Sequence, residues 1–238
     1  PNTGQTKECF ITSIGEIKSI NNLTPINGTG TFVDYASSFV DTAFIIITHS
    51  SLINGANAYA AYRLNPTAGN NPQNAIVFDI ADLYDQFAYG IEKHPFAIRE
   101  FMDYIVDTWP NSPTYLFLLG KSIKANESRK IAIDFANNLV PSYGNPASDN
   151  MLTSGLNGTD YEPIVPTGRL AANNETEINW YLNKITQHEN PTVSTGTGVN
   201  DWMKRILHFG GGSSTQEAQI FMPFLNGYKY LIEDTLFG

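Results

Sequence analysis

Thiols are almost missing from this chain: Cys9 is the sole cysteine among 238 residues. No disulfide can close within it, and a metal site built from several thiolates is excluded. Cations are scarce as well, with 14 Lys and Arg against 23 Asp and Glu and a formal net charge of -9. Phosphate neutralisation needs clustered Lys and Arg, and no basic run occurs, so nucleic acid is not expected as a partner. Anionic membrane surfaces are disfavoured for the same reason. No apolar stretch approaches the ~20 residues that span a bilayer. The opening "PNTGQTKECF" has no basic segment leading into an apolar core, as a signal peptide would, an absence that carries no weight in a piece of a longer protein.

What is present suits a folded, exported protein. Hydrophobic residues make up 42% of the chain, enough for one large domain or two small ones. Asn, Thr, Gly and Tyr are frequent, whereas Lys and Glu are sparse. Residues 1–42 form a polar lead-in ("SINNLTPINGTGTF") without a clear period, and whether they belong to a preceding β domain stays open. From Ala43 the pattern sharpens. "AFIIIT" (Ala43 to Thr48), "AIVFDI" (Ala75 to Ile80), "TYLFLL" (Thr114 to Leu119) and "RILHF" (Arg205 to Phe209) are short, continuous apolar runs, as expected of strands covered on both faces.

Helical patterns separate these runs. "GANAYAAYRL" is Ala-rich. "PFAIREFMDYIVDTW" starts at Pro95 and repeats Ile98, Phe101, Met102, Ile105 and Trp109 along one face. "NETEINWYLNKITQHE" pairs Asn174 with Glu177 as a variant capping box ahead of the stripe Ile178, Tyr181, Leu182 and Ile185. Ser214 and Glu217 form a second box. The helix after it is expected to bury Ala218, Phe221, Leu225 and Tyr228 and to bend at Pro223. The stretch 122–169, dense in Gly, Pro, Asn and Ser, predicts long loops with one edge strand. Strands alternating with helices imply an α/β fold with a mainly parallel sheet and helices on both faces.

Several stretches invite a chemical reading. Three glycines after an apolar run and before a helix can gather backbone N–H groups on an anion. "GGGSST" nevertheless lacks the Lys of a phosphate loop and the spacing of a dinucleotide fingerprint. A tight turn with positive-φ glycines accounts for it more simply. A Cys–His dyad needs an exposed thiol beside an oriented imidazole. Cys9 lies in the lead-in, far in sequence from His49 and His208 at strand ends, and nothing orients such a pair. His94, before Pro95, reads as the start of a helix. His188 sits where a cation complements a helix C-terminus. Asp79, Asp82 and Asp85 read as cap and surface of a short helix whose Leu83 and Phe87 face inward. The loop "SDNMLTSGLNGTD" carries oxygen ligands that can hold Ca²⁺ weakly, without the EF-hand spacing, and turn chemistry explains it equally. No metal site and no complete catalytic constellation is expected.

"FDIADLYDQFAYGIEKHPFAIREFMDYIVDTW" followed by "PTYLFLLG" resembles the gingipain-type cysteine peptidase family. "PTGRLAA" leading into the long helix and "WMKRILHFGGG" continue the likeness, which covers about Ala43 to Gly238 and is greatest with members resembling the type IX secretion sortase. The resemblance implies a caspase-like α/β fold of two subdomains, with catalytic His and Cys in the second. On that basis residues 43–200 are expected to be the non-catalytic scaffold and 201–238 the truncated start of the catalytic subdomain. The His and Cys are then expected beyond Gly238, and this chain alone should be inactive. Phe209, Gly210, Gly211 and Gly212 would form a smooth rim beside the substrate cleft, without the acid that the gingipains place there. Lys121 stands where the gingipains tend to have an acid.

A peptidase of this kind implies a protein or peptide substrate, no required cofactor, and a location outside the cell or on the outer membrane of a Gram-negative bacterium. The alternative is a non-catalytic adhesion or carbohydrate-binding module on the same scaffold, with Tyr143, Tyr161 and Trp180 lining a glycan groove. Nucleotide binding at the triple glycine is a third reading, and it is not expected.

Overall fold

The computed structural model describes residues 11–17, 19, 21–23, 25–26, 29–65, 72–189 and 206–233. Strand β1 (Ala43–Thr48) lies inside a four-stranded sheet of order β2-β1-β3-β4. The other strands are β2 (Asn74–Asp79), β3 (Tyr115–Leu119) and β4 (Thr167–Leu170). Every pairing is parallel: Ile46 faces Val77 of β2 and Phe117 of β3, and Leu118 faces Arg169 of β4. Consecutive β-branched residues suit β1 because both faces are covered. Ala43, Ile45 and Ile47 point into one apolar layer and Ile46 into the other. Each isoleucine so buried contributes about 1.5–3 kcal/mol.

The layer on one face is built by α2 (Ile80–Phe87) and α3 (Phe96–Thr108). The stripe read from the sequence is buried there in full: Ile98, Phe101, Met102, Ile105 and Trp109. Asp79 caps α2, its carboxylate accepting the Ala81 N–H at 2.9 Å, while Leu83 is buried and Phe87 packs against the same core. His94 Nδ1 accepts the Phe96 N–H at 3.2 Å and so starts α3. Tyr35, from the lead-in, is among the most buried side chains of this layer, and its carbonyl accepts the Trp109 indole N–H at 2.9 Å. Val33, Phe39 and Val40 pack beside it.

The opposite face carries α1 (Ile53–Leu64) and α6 (Glu175–Glu189). They cross closely at Gly55, where an added Cβ would stand 2.7 Å from Ile178 Cδ1. Arg63 and Glu189 close the far ends at 2.8 Å. At the start of α6 the expected capping box forms with one difference. Asn174 Oδ1 accepts the Glu177 N–H at 3.1 Å, but the Glu177 carboxylate reaches back to the N–H of Asn173, at 2.8 Å, one residue earlier than in the usual box. The loop-rich stretch holds the short helices α4 (Ala125–Ser128) and α5 (Ala132–Asn137) and ends in β4, the expected edge strand.

The chain divides into two compact units at Glu189/Asn190. In the second, α7 (Thr215–Ile232) begins at the Ser214 cap, whose hydroxyl accepts the Glu217 N–H at 3.2 Å. Two expectations fail here. Residues 206–209 of the predicted strand are not in a strand, and Arg205 lies outside the described residues. An apolar run becomes a strand only when a ladder takes up its N–H and C=O groups, and among the described residues no strand pairs with it. Nor does α7 bury its stripe: Phe221 is 45% and Tyr228 58% exposed, with Ala218 and Leu225 half-buried. Among the described residues of this unit, the 206–212 segment lies against the helix and is too short to cover it.

Candidate functional site

Open parallel sheets usually bind ligands at the carboxyl ends of their strands, so these ends deserve a residue-by-residue account. At the end of β1, Thr48 is fully buried and its hydroxyl donates to the Leu119 carbonyl of β3 at 2.9 Å. At the end of β2, Asp79 is the cap of α2. After β3, the Gly120 N–H donates to Leu170 O, Lys121 N–H donates to Ala172 O, and Lys121 O accepts from both Leu139 and Val140. After β4, Arg169 draws in its Nε and Nη2 groups to Asp149, at 2.7 and 2.8 Å, and donates through Nη1 to the carbonyls of Gly120 and Val140. Burial pushes the Asp149 carboxyl up, but the Arg169 bonds outweigh it and hold the group below its ordinary value. Asp149 is the first carboxylate of the loop that offers oxygen ligands for Ca²⁺, and it is committed to Arg169 and to Ser142.

His49, next after Thr48, makes a contact that resembles the start of a hydrolytic dyad: Nδ1 stands 2.9 Å from the Ser51 hydroxyl. The same nitrogen also accepts the Ser51 N–H at 3.2 Å, which makes the ring a cap for the turn Ser50–Leu52. An imidazole that serves as general base needs a partner orienting its far nitrogen. Burial, and next the charge of Lys93, hold His49 below its ordinary value. Burial does the same to Lys93, against the pull of Glu92 and Asp79. His49, Lys93, Asp85 and Glu92 line a cavity of about 220 Å³ beside the β1 and β2 ends. Asp82 is raised by burial and then by its neighbours Asp79 and Asp85, yet among the described residues no group of acids and histidines is close enough to hold a metal ion.

The second unit holds the predicted rim. Phe209 is 88% exposed, and Gly210, Gly211 and Gly212 run as exposed, irregular chain. None of the three has positive φ, so the turn conformation expected of them is absent; close approach explains two of them instead. A Cβ on Gly210 would stand 2.9 Å from Leu225 Cδ1, and one on Gly212 would stand 2.8 Å from Glu217 Cβ and 3.1 Å from the Ala218 nitrogen. Glu217 closes this corner by accepting the Ser213 N–H at 2.6 Å and the Ser213 hydroxyl at 2.7 Å, and these bonds lower its pKa. The Ser213 amide, where an anion would sit, already holds this carboxylate. His208 and Gly210 line a cavity of about 540 Å³ with Met222, Leu225 and Lys229 of α7.

Cys9 lies outside the described residues. Tyr143 and Tyr161 meet in one cavity, whereas Trp180 stands apart on α6. That meeting had no signal in the sequence, because the two tyrosines sit in loops with no period. No described helix is long and apolar enough to cross a membrane.

The model of peptidase family C25 matches residues 38–235. The fold is similar to the crystal structure of dimeric latent PorU from Porphyromonas gingivalis, with a TM-score of 0.51 and 13% identity, covering 79% of this chain and 21% of that one. The chain thus spans about a fifth of that protein's length. No curated protein matches it. With the expected gingipain-like α/β fold in place and the family match running through most of both units, the chain belongs to peptidase family C25.

Proposed function

We propose that this chain is the scaffold and the first part of the catalytic subdomain of a secreted or cell-surface cysteine endopeptidase. The observation that carries the reading is the C25 match over residues 38–235. In the whole protein a Cys thiolate attacks the scissile carbonyl carbon, and a His takes the thiol proton and delivers it to the leaving amine. Backbone N–H groups hold the oxyanion, and water or a second amine releases the acyl group. The thiol and imidazole are supplied beyond Gly238, and Phe209 to Gly212 border the cleft. Removal of C-terminal secretion signals from exported cargo is the finer activity proposed, in a Gram-negative envelope. The likeness to PorU and the export-type composition support that setting.

Substrate-like, mechanism-based probes of thiol peptidases and a peptidase assay on these 238 residues should detect nothing. Turnover abolished by Cys9→Ala would overturn the reading. The gene downstream of Gly238 offers a second check, with a Gly-His turn and a later strand-end Cys expected. A rival reading, a glycan-binding module without catalysis, is favoured by the cavity that Tyr143 and Tyr161 share, and it predicts that neither catalytic residue follows.

A further inference from the structure

Two cavities on the first unit join along α3. One, of about 550 Å³, is lined by Gln86, Tyr89 and His94; the other, of about 490 Å³, is lined by Tyr143, Asp160 and Tyr161. Phe96 and Glu100 line both, so the two adjoin on one face and are taken together as a groove. Its floor is a run of rings: His94 lies on Phe96 at 5.2 Å, and Phe96 meets Tyr143 at 5.5 Å. At one end Tyr89 is 97% exposed on a left-handed backbone, φ 55°. For a residue with a Cβ that conformation costs about 1–2 kcal/mol. The turn holds it through Gly90 N–H to Tyr84 O and Ile91 N–H to Ala88 O, both 2.8 Å.

Acids outnumber cations in this groove, with Glu100 and Asp160 against Arg99. Gln86 Oε1 is buried and has no hydrogen-bond partner. Among the described residues neither Glu100 nor Asp160 takes part in an ion pair. The one cation of the lining, Arg99, donates through Nη1 to Met151 O at 2.8 Å and Ser154 O at 2.7 Å, tying the loop to α3, so the charged groups of the lining are two carboxylates against one guanidinium. What the surface offers is therefore aromatic faces, two unpaired carboxylates and an orphaned acceptor. A ligand that satisfies these brings donors and positive charge together with apolar surface. Neutral sugars bring donors and acceptors in equal measure and leave the carboxylates unneutralised.

We infer that this groove docks an extended peptide segment carrying a basic side chain between apolar ones, held there and not cut. The inference rests on the peptidase reading only for where such a peptide comes from, namely the uncleaved part of a protein substrate; binding itself needs no catalytic residue. The test is fluorescence anisotropy of this chain with a labelled peptide of about nine residues, long enough at ~3.3 Å per residue to cross both cavities. It has a central Arg flanked by leucines, and the control carries Glu in place of Arg. The Arg peptide should bind, and binding should weaken as salt rises. Glu100→Gln and Asp160→Asn should each weaken it about threefold, and the pair about tenfold. Both positions are exposed, so the variants should melt like the parent. Equal binding of the Arg and Glu peptides overturns the proposal. So does indifference to both substitutions, or displacement of the peptide by a neutral hexasaccharide. Peptidase activity of a longer protein, present or absent, leaves these outcomes unchanged.

Discussion

Replacing Arg169 by methionine removes the fastener at the carboxyl end of β4. In the native chain its guanidinium holds both oxygens of Asp149 and donates to the carbonyls of Gly120, Val140 and, at 3.3 Å, Pro141. The two side chains are 12% and 22% exposed. Breaking a buried pair from one side costs about 3–5 kcal/mol, and the residual solvent here lowers that to about 2–4 kcal/mol. For a chain of this size that is a fall in Tm of about 5–15 °C. Asp149→Asn keeps an acceptor for the guanidinium and Ser142, and should cost about 1–2 kcal/mol. The pH dependence has a definite sign. Asp149 titrates lower in the folded chain than its ordinary 3.8, so its stabilisation is complete above about pH 4 and is lost as pH falls through the folded value. Thermal melts followed by circular dichroism at neutral pH and in acid should therefore show the gap between parent and Asp149→Asn closing in acid. Three results refute this account: Arg169→Met melting within about 2 °C of the parent, Asp149→Asn costing more than Arg169→Met, or a gap that ignores pH.

Other perturbations probe the rest of the frame. Gly55→Ala forces a Cβ to within 2.7 Å of Ile178 Cδ1 and should cost about 1–3 kcal/mol in urea unfolding; Ile178→Val, which deletes that methyl, should recover part of the loss, and strict additivity of the two would show that the contact is not the cause. Tyr35→Phe removes a buried hydroxyl with no partner, so the variant should unfold no more easily than the parent and gain up to about 1 kcal/mol; a clear loss would mean the hydroxyl is satisfied. Burial, and then Lys93, keep His49 below 6.5. The unfolded chain therefore binds that proton more tightly, and stability from the neutral ring is full above about pH 6.5 and declines as pH falls through the folded value. His49→Gln should flatten the stability slope between neutral and mildly acid pH, and an unchanged slope would contradict the burial argument.

The sequence disclosed the fold where a short run could be interpreted without its neighbours. "AFIIIT" needs only its β-branched residues to be seen as a strand covered twice, and α3 needs only its 3–4 spacing. β4 was harder. "TGRL" is four residues with a Gly and an Arg, and it is a strand because β3 offers a ladder and Arg169 has acceptors at its end. Tyr35 gave no signal, since one aromatic in a polar lead-in has no period, and its burial is decided by the rings of Phe78, Phe87 and Phe101 on β2, α2 and α3. Arg205 to Phe209 failed in the opposite direction, with a strand-like composition but no paired neighbour among the described residues. The aromatic groove depends on residues some fifty positions apart meeting over Phe96, which local patterning does not encode.

The bonds at the strand ends bear on where chemistry can reside in this family member. A reacting group needs a free lone pair or proton facing an approachable volume. In the first unit these ends are occupied by their own structural work: Thr48 on Leu119, Asp79 on α2, Gly120 and Lys121 on the backbone, Asp149 on Arg169. Gln86 Oε1, Glu100 and Asp160 are among the groups left without such a partner, and they lie along α2, α3 and the loop before β4, beside rings. Unpaired acceptors against aromatic faces suit holding a chain, not breaking one. A unit whose sheet ends are largely spent on stability and whose flank keeps acceptors in reserve agrees with the scaffold role proposed for it.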